Sequence, residues 1–287
     1  MYLLYSILSS TVIFIVFKLF SRFGINRLQA IVMNYVVACA AGLVLYERPI
    51  AFAEIPDKAW FFGALLLGVL FILIFNLMAL TTQRSGIAVV SVATKMSVVI
   101  PILFGVFYYK DQLGILKLTG IILALVAVYL ASIKQKDGLQ VKKENLIFPV
   151  LVFLGSGIID ASIKFLEASA IAKSEVPLFS ALIFAAAFAI GLIFVIIQVI
   201  KGKLRLQFKN VLAGIALGVP NYFSIYFLVQ ALRNDWESST VFLINNVGIV
   251  VVSTLAGILL FQEKLLLKNW IGLILAVIGI VLVSISR

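Results

Sequence analysis

Residues 107–132 read FYYKDQLGILKLTGIILALVAVYLAS, and residues 259–284 read LLFQEKLLLKNWIGLILAVIGIVLVS. When Asp111 is placed above Glu263, Gly120 falls above Gly272, and identical residues follow along both stretches. Each stretch ends in a mainly apolar segment of about 20 residues, which is the length that crosses a bilayer. The chain is therefore predicted to contain an internal repeat whose unit ends in a membrane-spanning helix.

The composition excludes a water-soluble protein. Of the 287 residues, 63% are hydrophobic and 12% are charged, whereas a soluble domain carries about 25% charged residues. The apolar runs are continuous rather than alternating, which favours helices over the strands of a membrane barrel. Ten spans are predicted, over residues 2–21, 28–46, 59–81, 86–108, 113–133, 146–171, 177–200, 210–232, 238–261 and 266–286.

Histidine and cysteine, which often act in metal binding and catalysis, are absent or nearly absent. The chain has no histidine and one cysteine, Cys39, which excludes His-based metal sites, imidazole proton relays, Ser/His nucleophile pairs and an intramolecular disulfide. We expect no metal and no cofactor. The net charge of +11 comes mostly from short loops beside the spans, as is usual in membrane proteins, so no nucleic-acid partner is expected.

The longest polar stretch, KQKDGLQVKKEN at 134–145, divides the chain into two halves. We predict a first five-helix repeat at 1–133, a polar linker at 134–145 and a second repeat at 146–287. Because each half has an odd number of spans, the halves insert with opposite orientations. The predicted fold is an all-α integral membrane protein with ten transmembrane helices in two inverted five-helix repeats, an arrangement that places a binding site near the bilayer midplane.

The paired signature, an acidic residue followed by a glycine that opens an apolar last helix, resembles that of the drug/metabolite transporter superfamily, in particular its EamA-type members. The resemblance implies a multi-pass solute carrier of the cell (inner or plasma) membrane, often an exporter or exchanger. It also implies that the last helix of each half serves in packing and dimer contacts. Family members commonly have a proline in the fourth span of each half. Pro101 is present, but Ser253 stands at the corresponding position of the second half, so a kink is expected only in the first.

Few charges lie deep inside the spans, where a charge is costly and indicates function. Lys95 is in the middle of the fourth span, and no acidic residue lies within a helical turn of it. Asp160, Lys164 and Glu167 follow an i, i+4, i+7 spacing in the sixth span, so they share one helix face. Asp160 is the best candidate partner for Lys95, although Asp160 and Lys164 could also form a pair that neutralises itself.

Neutral polar residues inside the spans are further candidates for solute binding. They include Asn34, Asn76, Asn221, Asn245, Asn246, Tyr222 and Tyr226. Hydrogen bonding between helices is the alternative for each, with a contribution of about 0.6–2 kcal/mol. Pro220 is expected to interrupt the eighth span locally. The patterns Gly120-x-x-x-Ala124, Gly272-x-x-x-Ala276 and Gly214-x-x-x-Gly218 predict close helix packing and leave a homodimer open.

The favoured function is secondary-active transport of a small polar, anionic or zwitterionic metabolite. Lys95 and Lys164 would attract its anionic group, and Asp160, Glu167 and Pro101 are the candidates for coupling or gating, including proton coupling. An exporter of lipophilic cations that are recognised by Asp160 is the alternative. An intramembrane enzyme, for example with a Ser156/Lys164 pair, is a third and less favoured candidate. We expect no enzymatic activity. A channel would need rings of charges or carbonyls.

The orientation in the membrane has two interpretations. The loops on the side opposite the N-terminus carry most of the Lys and Arg residues, and the positive-inside rule would therefore put both termini outside the cytoplasm. The family resemblance implies that both termini are inside. The direction of transport depends on the same choice.

Overall fold

The computed structural model describes residues 1–47, 49–50, 52–85, 87–132, 145–233, 236–262 and 265–285. Positions 134–144 of the predicted linker, as well as Glu263, lie outside these ranges. The α-helices in the described ranges are α1 Tyr2–Phe23, α2 Arg27–Val44, α3 Phe61–Ser85, α4 Ile87–Met96, α5 Val99–Tyr109, α6 Ile115–Ser132, α7 Ile147–Ser169, α8 Val176–Ile200, α9 Phe208–Leu232, α10 Ser238–Phe261 and α11 Leu267–Ile285. Two short 3₁₀ turns, Phe52–Asp57 and Lys173–Glu175, precede α3 and α8.

These helices confirm the predicted all-α membrane fold. In the described part of the chain, nine segments are long and apolar enough to cross a bilayer, and α6 holds a shorter apolar run, Ile115–Ala131. Together they occupy the ten predicted spans. Hydropathy alone predicts these spans because a helix satisfies its own backbone hydrogen bonds in lipid and needs only an apolar surface.

The fourth span consists of two helices, because α4 ends at Met96 and α5 begins at Val99. Pro101 has no N–H with which to reach the carbonyl of Ser97. That carbonyl instead accepts from the N–H of Ile100 at 2.9 Å, one residue short of the α-helical partner. The corresponding helix of the second half, α10, runs unbroken through Ser253. The kink expected in the first half alone is therefore confirmed.

The interruption expected at Pro220 is wrong. Helix α9 continues from Phe208 to Leu232 with Pro220 inside it. A proline removes one backbone hydrogen bond wherever it stands in a helix, but membrane helices tolerate this when their neighbours hold them. Helices α1 and α2 both pack against α9, which supplies that support.

One of two compact units comprises Met1–Ile72 and Phe165–Arg233. In it, α9 packs against α1 and α2, and α2 also packs against α8. Two glycines of α9 allow the close approach of α2. A Cβ on Gly214 would lie 2.6 Å from the backbone oxygen of Ala30, and one on Gly218 would lie 2.8 Å from that of Asn34. The packing role predicted for these glycines is confirmed.

The other unit comprises Leu73–Lys164 and Asn234–Arg287. Its most extensive contact joins α6 and α11, and α10 packs against α4, α5, α6 and α11. A Cβ on Gly120 would lie 3.0 Å from the oxygen of Gly279, and one on Gly272 would lie 2.9 Å from the oxygen of Ala127. The last helices of the two predicted repeats therefore pack together within one chain. Each compact unit combines segments of both predicted repeats, and the repeat boundaries stay a prediction.

Candidate functional site

Lys95 lies in the last turn of α4, directly before the helix break. Only 8% of its surface is exposed. The carbonyl end of a helix carries a partial negative charge that favours a nearby cation, and the break thus gives this lysine a favourable position inside a membrane span. Its ammonium donates to the side-chain oxygen Oδ1 of Asn246, at 3.4 Å.

Asp160 of α7 belongs to the same cluster. Its carboxylate interacts electrostatically with Lys95 and shares a side-chain hydrogen bond with Asn246. The sequence had indicated Asp160 as the best protein partner for Lys95; the two charges interact electrostatically, and Asn246 contacts both of them. Helices α4, α7 and α10 thus bring one cation, one carboxylate and one amide together in the second unit, from positions far apart in the sequence.

Two asparagines that are adjacent on α10 differ in their surroundings. The amide nitrogen Nδ2 of Asn246 donates to the carbonyl of Phe242 at 3.2 Å, while its oxygen faces Lys95. Asn245 is also buried, and within the described residues its Oδ1 atom has no hydrogen-bond partner. Such a group is costly to bury, so Asn245 stays a candidate for solute binding.

Lys164 is one turn beyond Asp160 on α7 and is held by an aromatic residue. Its ammonium lies 5.4 Å from the ring centroid of Tyr109, a distance typical of a cation–π contact. The Tyr109 hydroxyl also donates to the backbone oxygen of Lys164, at 3.5 Å. Tyr109 is the last residue of α5 and packs against Phe104 and Tyr108. The structure therefore orients Asp160 toward Lys95 and places Lys164 over an aromatic group.

Glu167 lies in the first unit, where it has a partner that the sequence analysis did not consider. Its carboxylate is 3.3 Å from Nε of Arg233, and the two side chains are 7% and 15% exposed. Arg233 also donates through Nη2 to the carbonyl of Ile171, at 2.8 Å. The only sequence signal for this contact was that Arg233 is the first basic residue after the eighth span. The contact favours a structural role for Glu167 at the end of α7.

The other polar candidates are distributed over both units. In the first unit, the amide nitrogen of Asn221 donates to the side-chain oxygen of Asn34 at 3.1 Å, which is the predicted alternative of hydrogen bonding between helices. The rings of Tyr222 and Tyr226 stack at 5.8 Å, and the hydroxyl of the fully buried Tyr222 has no hydrogen-bond partner within the described residues. Asn76, in the second unit, has an exposed position on α3.

The cluster in the second unit combines two opposite charges with one amide. No group of three His, Cys, Asp or Glu side chains in the described part of the chain could hold a metal ion. The cluster offers an ammonium group that donates hydrogen bonds and a carboxylate that accepts them, and both are next to a helix break. Discontinuous helices of this kind form the solute sites of many membrane carriers.

Comparison with known proteins agrees with this fold. The sequence model described as the EamA-like transporter family matches residues 1–133 and 147–285. An uncharacterized protein of Haemophilus influenzae is 27% identical over 286 residues, covering 97% of this chain and 95% of the relative. A protein of known crystal structure is similar with a TM-score of 0.77 and 11% identity, over 99% of this chain and 95% of that one; at this identity the likeness concerns the fold alone.

Proposed function

The chain belongs to the EamA-like transporter family, and from that membership we propose that it is a secondary-active exporter or exchanger of a small polar, anionic or zwitterionic metabolite. It is a multi-span membrane protein of a family of transporters, and we place it in the cell membrane. The observation that carries the choice of solute is the cluster of Lys95, Asp160 and Asn246 beside the break between α4 and α5.

The free-energy cost of keeping charged side chains inside the membrane supports a role of this cluster in binding. Charged residues inside spans are expensive and usually face a solute pathway or a partner. A Lys95 ammonium that is largely removed from bulk water is a strong donor to a carboxylate or phosphate, because charge-assisted hydrogen bonds are about twice as strong as neutral ones. Asp160 offers the complementary charge to an amine. The cluster can therefore bind an anion through Lys95 alone or a zwitterion through both residues.

The break at Ser97 and Val98 supplies a means of gating. Two half-helices joined by a turn can change their relative angle without losing their own hydrogen bonds, and carriers use such joints for alternating access. We propose that Pro101 maintains this joint and that Asp160 carries the coupling proton. Lys164, one turn away, would attract the anionic group of the solute. A homodimer stays a proposal from the family resemblance.

Export of lipophilic cations is a second candidate, and one observation favours it. The ring of Tyr109 already holds the cation of Lys164 at 5.4 Å, so an aromatic surface that accepts positive charge lies one helical turn from Asp160. A lipophilic cation could replace Lys164 at that ring and pair with Asp160. In this case Lys95 would have a structural or gating role.

A thermal-shift screen of the purified protein in detergent tests both candidates. The panel contains carboxylates, phosphorylated metabolites, amino acids, neutral sugars and lipophilic cations, because a ligand that binds only the folded state raises the melting temperature. We expect an anion or zwitterion to stabilise the wild type and a Lys18→Met control, which lacks a lysine of α1 in the first unit. The same compound should not stabilise Lys95→Met.

The outcomes separate the two candidates. Stabilisation by lipophilic cations alone, independent of Lys95 and lost in Asp160→Asn, would overturn the metabolite proposal in favour of cation export. Stabilisation of Lys95→Met to the same extent as the wild type by every active compound would remove Lys95 from the site. If Lys95→Met does not fold, Lys95→Gln, which keeps a polar end, replaces it.

A further inference from the structure

Asn246 contacts both opposite charges of the cluster, and the hydrogen-bonding properties of these charges determine which end of its amide each one meets. An ammonium group only donates hydrogen bonds and a carboxylate only accepts them, whereas a side-chain amide has one end of each kind. The Oδ1 atom of Asn246 accepts from Lys95 at 3.4 Å. Its nitrogen donates to the carbonyl of Phe242 at 3.2 Å, and the same side chain shares a hydrogen bond with the carboxylate of Asp160. The amide therefore contacts both charges of the cluster.

The amide is a weak partner for Lys95. A hydrogen bond of 3.4 Å is long compared with the usual 2.7–3.2 Å, and the amide is neutral. A direct ion pair of Lys95 with Asp160 would satisfy both groups by itself, and a solute would have to break that pair. With Asn246 as an intermediate, each charge can exchange a neutral partner for a charged group of a solute, and the hydrogen bond becomes about twice as strong.

Helix α10 holds this amide in place. It is unbroken from Ser238 to Phe261, and all its residues up to Val250 are buried. It packs against both halves of the broken span, α4 and α5. The position of the amide between the charges is thus set by a rigid element, whereas Lys95 is on the short helix that ends at the break.

We propose that Asn246 is the specificity-determining residue of this site and that it selects a zwitterion, such as an α-amino acid, over a simple anion. The carboxylate of the solute would replace the amide oxygen at Lys95, and its ammonium would replace the amide nitrogen at Asp160. A simple anion would gain the first contact but would meet the negative charge of Asp160 without compensation. The inference rests on the proposed function and narrows its class of solute.

Matched triplets of ligands test the selection. Each triplet contains an amino acid, the corresponding amine that lacks the carboxylate, and the corresponding carboxylic acid that lacks the amine. One triplet is phenylalanine, phenethylamine and 3-phenylpropionate. Two further triplets are based on alanine and on leucine. Binding to the purified protein is measured by thermal shift and then by calorimetry. We expect the amino acid of at least one triplet to bind the wild type at least about tenfold more tightly than the acid or the amine, a difference of ~1.4 kcal/mol.

Substitutions at position 246 should change this order in different ways. In Asn246→Leu, Lys95 and Asp160 can pair directly, and we expect affinity for the amino acid to fall by about tenfold or more. In Asn246→Asp, the added carboxylate neutralises Lys95, and we expect the amine to become the preferred member of the triplet. The control Thr254→Val removes a hydroxyl two turns further along α10 that donates only to the carbonyl of Val250 in its own helix, at 2.7 Å, and it should keep the order of the wild type. Asn246→Gln, which keeps an amide but displaces it by one methylene, serves if the other two variants do not fold, and it should reduce the preference.

The results also separate this inference from the proposed function. Binding that depends on Lys95 but is the same in wild type and in Asn246→Leu overturns the role of Asn246 and leaves the transporter site in place. A wild type that prefers the acid of every triplet, or binds phosphorylated metabolites alone, overturns zwitterion selection in the same way. Loss of all dependence on Lys95 would instead overturn the proposed function itself.

Discussion

The carboxylate of Asp111 accepts a hydrogen bond from the backbone N–H of Ser239, 128 positions later in the chain, at 3.1 Å. Ser239 is the second residue of α10, and the first N–H groups of a helix have no partner within it. The hydroxyl of Ser238 donates to the same carboxylate oxygen at 3.3 Å. The acidic residue of the repeat signature therefore caps the helix that carries Asn246. Next to it, Glu237 accepts from Lys117 and from the N–H of Gln112, which also joins the start of α6 to α10.

Removing the Asp111 carboxylate that caps α10 should destabilise the protein without changing its helix content. We expect Asp111→Ala to lower the melting temperature, because loss of a helix cap costs about 0.5–2 kcal/mol. Asp111→Asn keeps an acceptor oxygen and should lose less. Thermal unfolding followed by tryptophan fluorescence measures the change, and Asp57→Ala, at an exposed acidic residue, is the control. Equal melting temperatures for Asp111→Ala and the wild type would contradict a capping role.

The close contact of α6 with α11 makes a second prediction. A Cβ on Gly272 would lie 2.6 Å from the backbone nitrogen of Ala131, so Gly272→Ala requires the two backbones to separate. We expect destabilisation of about 1–3 kcal/mol, as is usual for overpacking. Gly114→Ala is the matched control, since no atom lies within 4 Å of the position that its Cβ would occupy.

Size-exclusion chromatography of the same variants distinguishes packing within the chain from dimerisation. We expect Gly272→Ala to unfold at lower temperature while its elution volume stays that of the wild type. A change of oligomeric state at unaltered melting temperature would mean that this helix serves an interface between copies instead.

The sequence predicted those features that depend on local properties. The ten spans follow from apolar length, and the close packing of α9 with α2 and of α6 with α11 follows from small residues at helical spacing. The electrostatic interaction of Lys95 with Asp160 was also predictable, because few charges lie inside the spans. The site as a whole is a prediction that neither the fold nor the family match tests.

Other features depend on helix rotation and on contacts between distant segments, which one sequence does not show. The bridging position of Asn246 and the contact of Arg233 with Glu167 are of this kind. The effect of a proline also depends on contacts between helices. Pro101 coincides with a broken helix, whereas Pro220 lies in a continuous one. The local sequence removes one hydrogen bond in both cases, and the neighbouring helices determine whether the helix stays intact.

The contact between Glu167 and Arg233 predicts a strong dependence of stability on one arginine. Arg233→Met should destabilise the protein by about 3–5 kcal/mol, because removal of one partner of a buried ion pair leaves the other charge in a poorly hydrated site without its counter-ion. Glu167→Leu combined with Arg233→Met removes both charges, and we expect it to recover part of the loss. Urea or thermal unfolding in detergent measures both variants.

The same pair of variants tests whether Glu167 acts in coupling. If its role is structural, the double variant should bind the ligand found in the screen with the affinity of the wild type. A double variant with wild-type stability that no longer responds to a proton gradient in proteoliposomes would instead assign Glu167 to coupling.

The break at Pro101 predicts a local difference in backbone exchange that needs no ligand to observe. In Pro101→Ala the new N–H can donate to the carbonyl of Ser97, so α4 and α5 can join into one helix. We expect hydrogen–deuterium exchange at residues 97–100 to slow in this variant, and the melting temperature to stay equal or to rise. Ser253→Pro, at the corresponding position of α10, is the opposite experiment. It should speed exchange around residue 253 and destabilise the protein by about 3 kcal/mol, the usual cost of a proline inside a helix.

The outcomes for Pro101→Ala decide the role of the break. If exchange at residues 97–100 is the same with and without Pro101, the break is set by packing around Lys95 and the proposed gating role of Pro101 fails. If exchange slows and binding persists while transport in proteoliposomes stops, the joint moves the solute across the membrane and the cluster at Lys95 binds it.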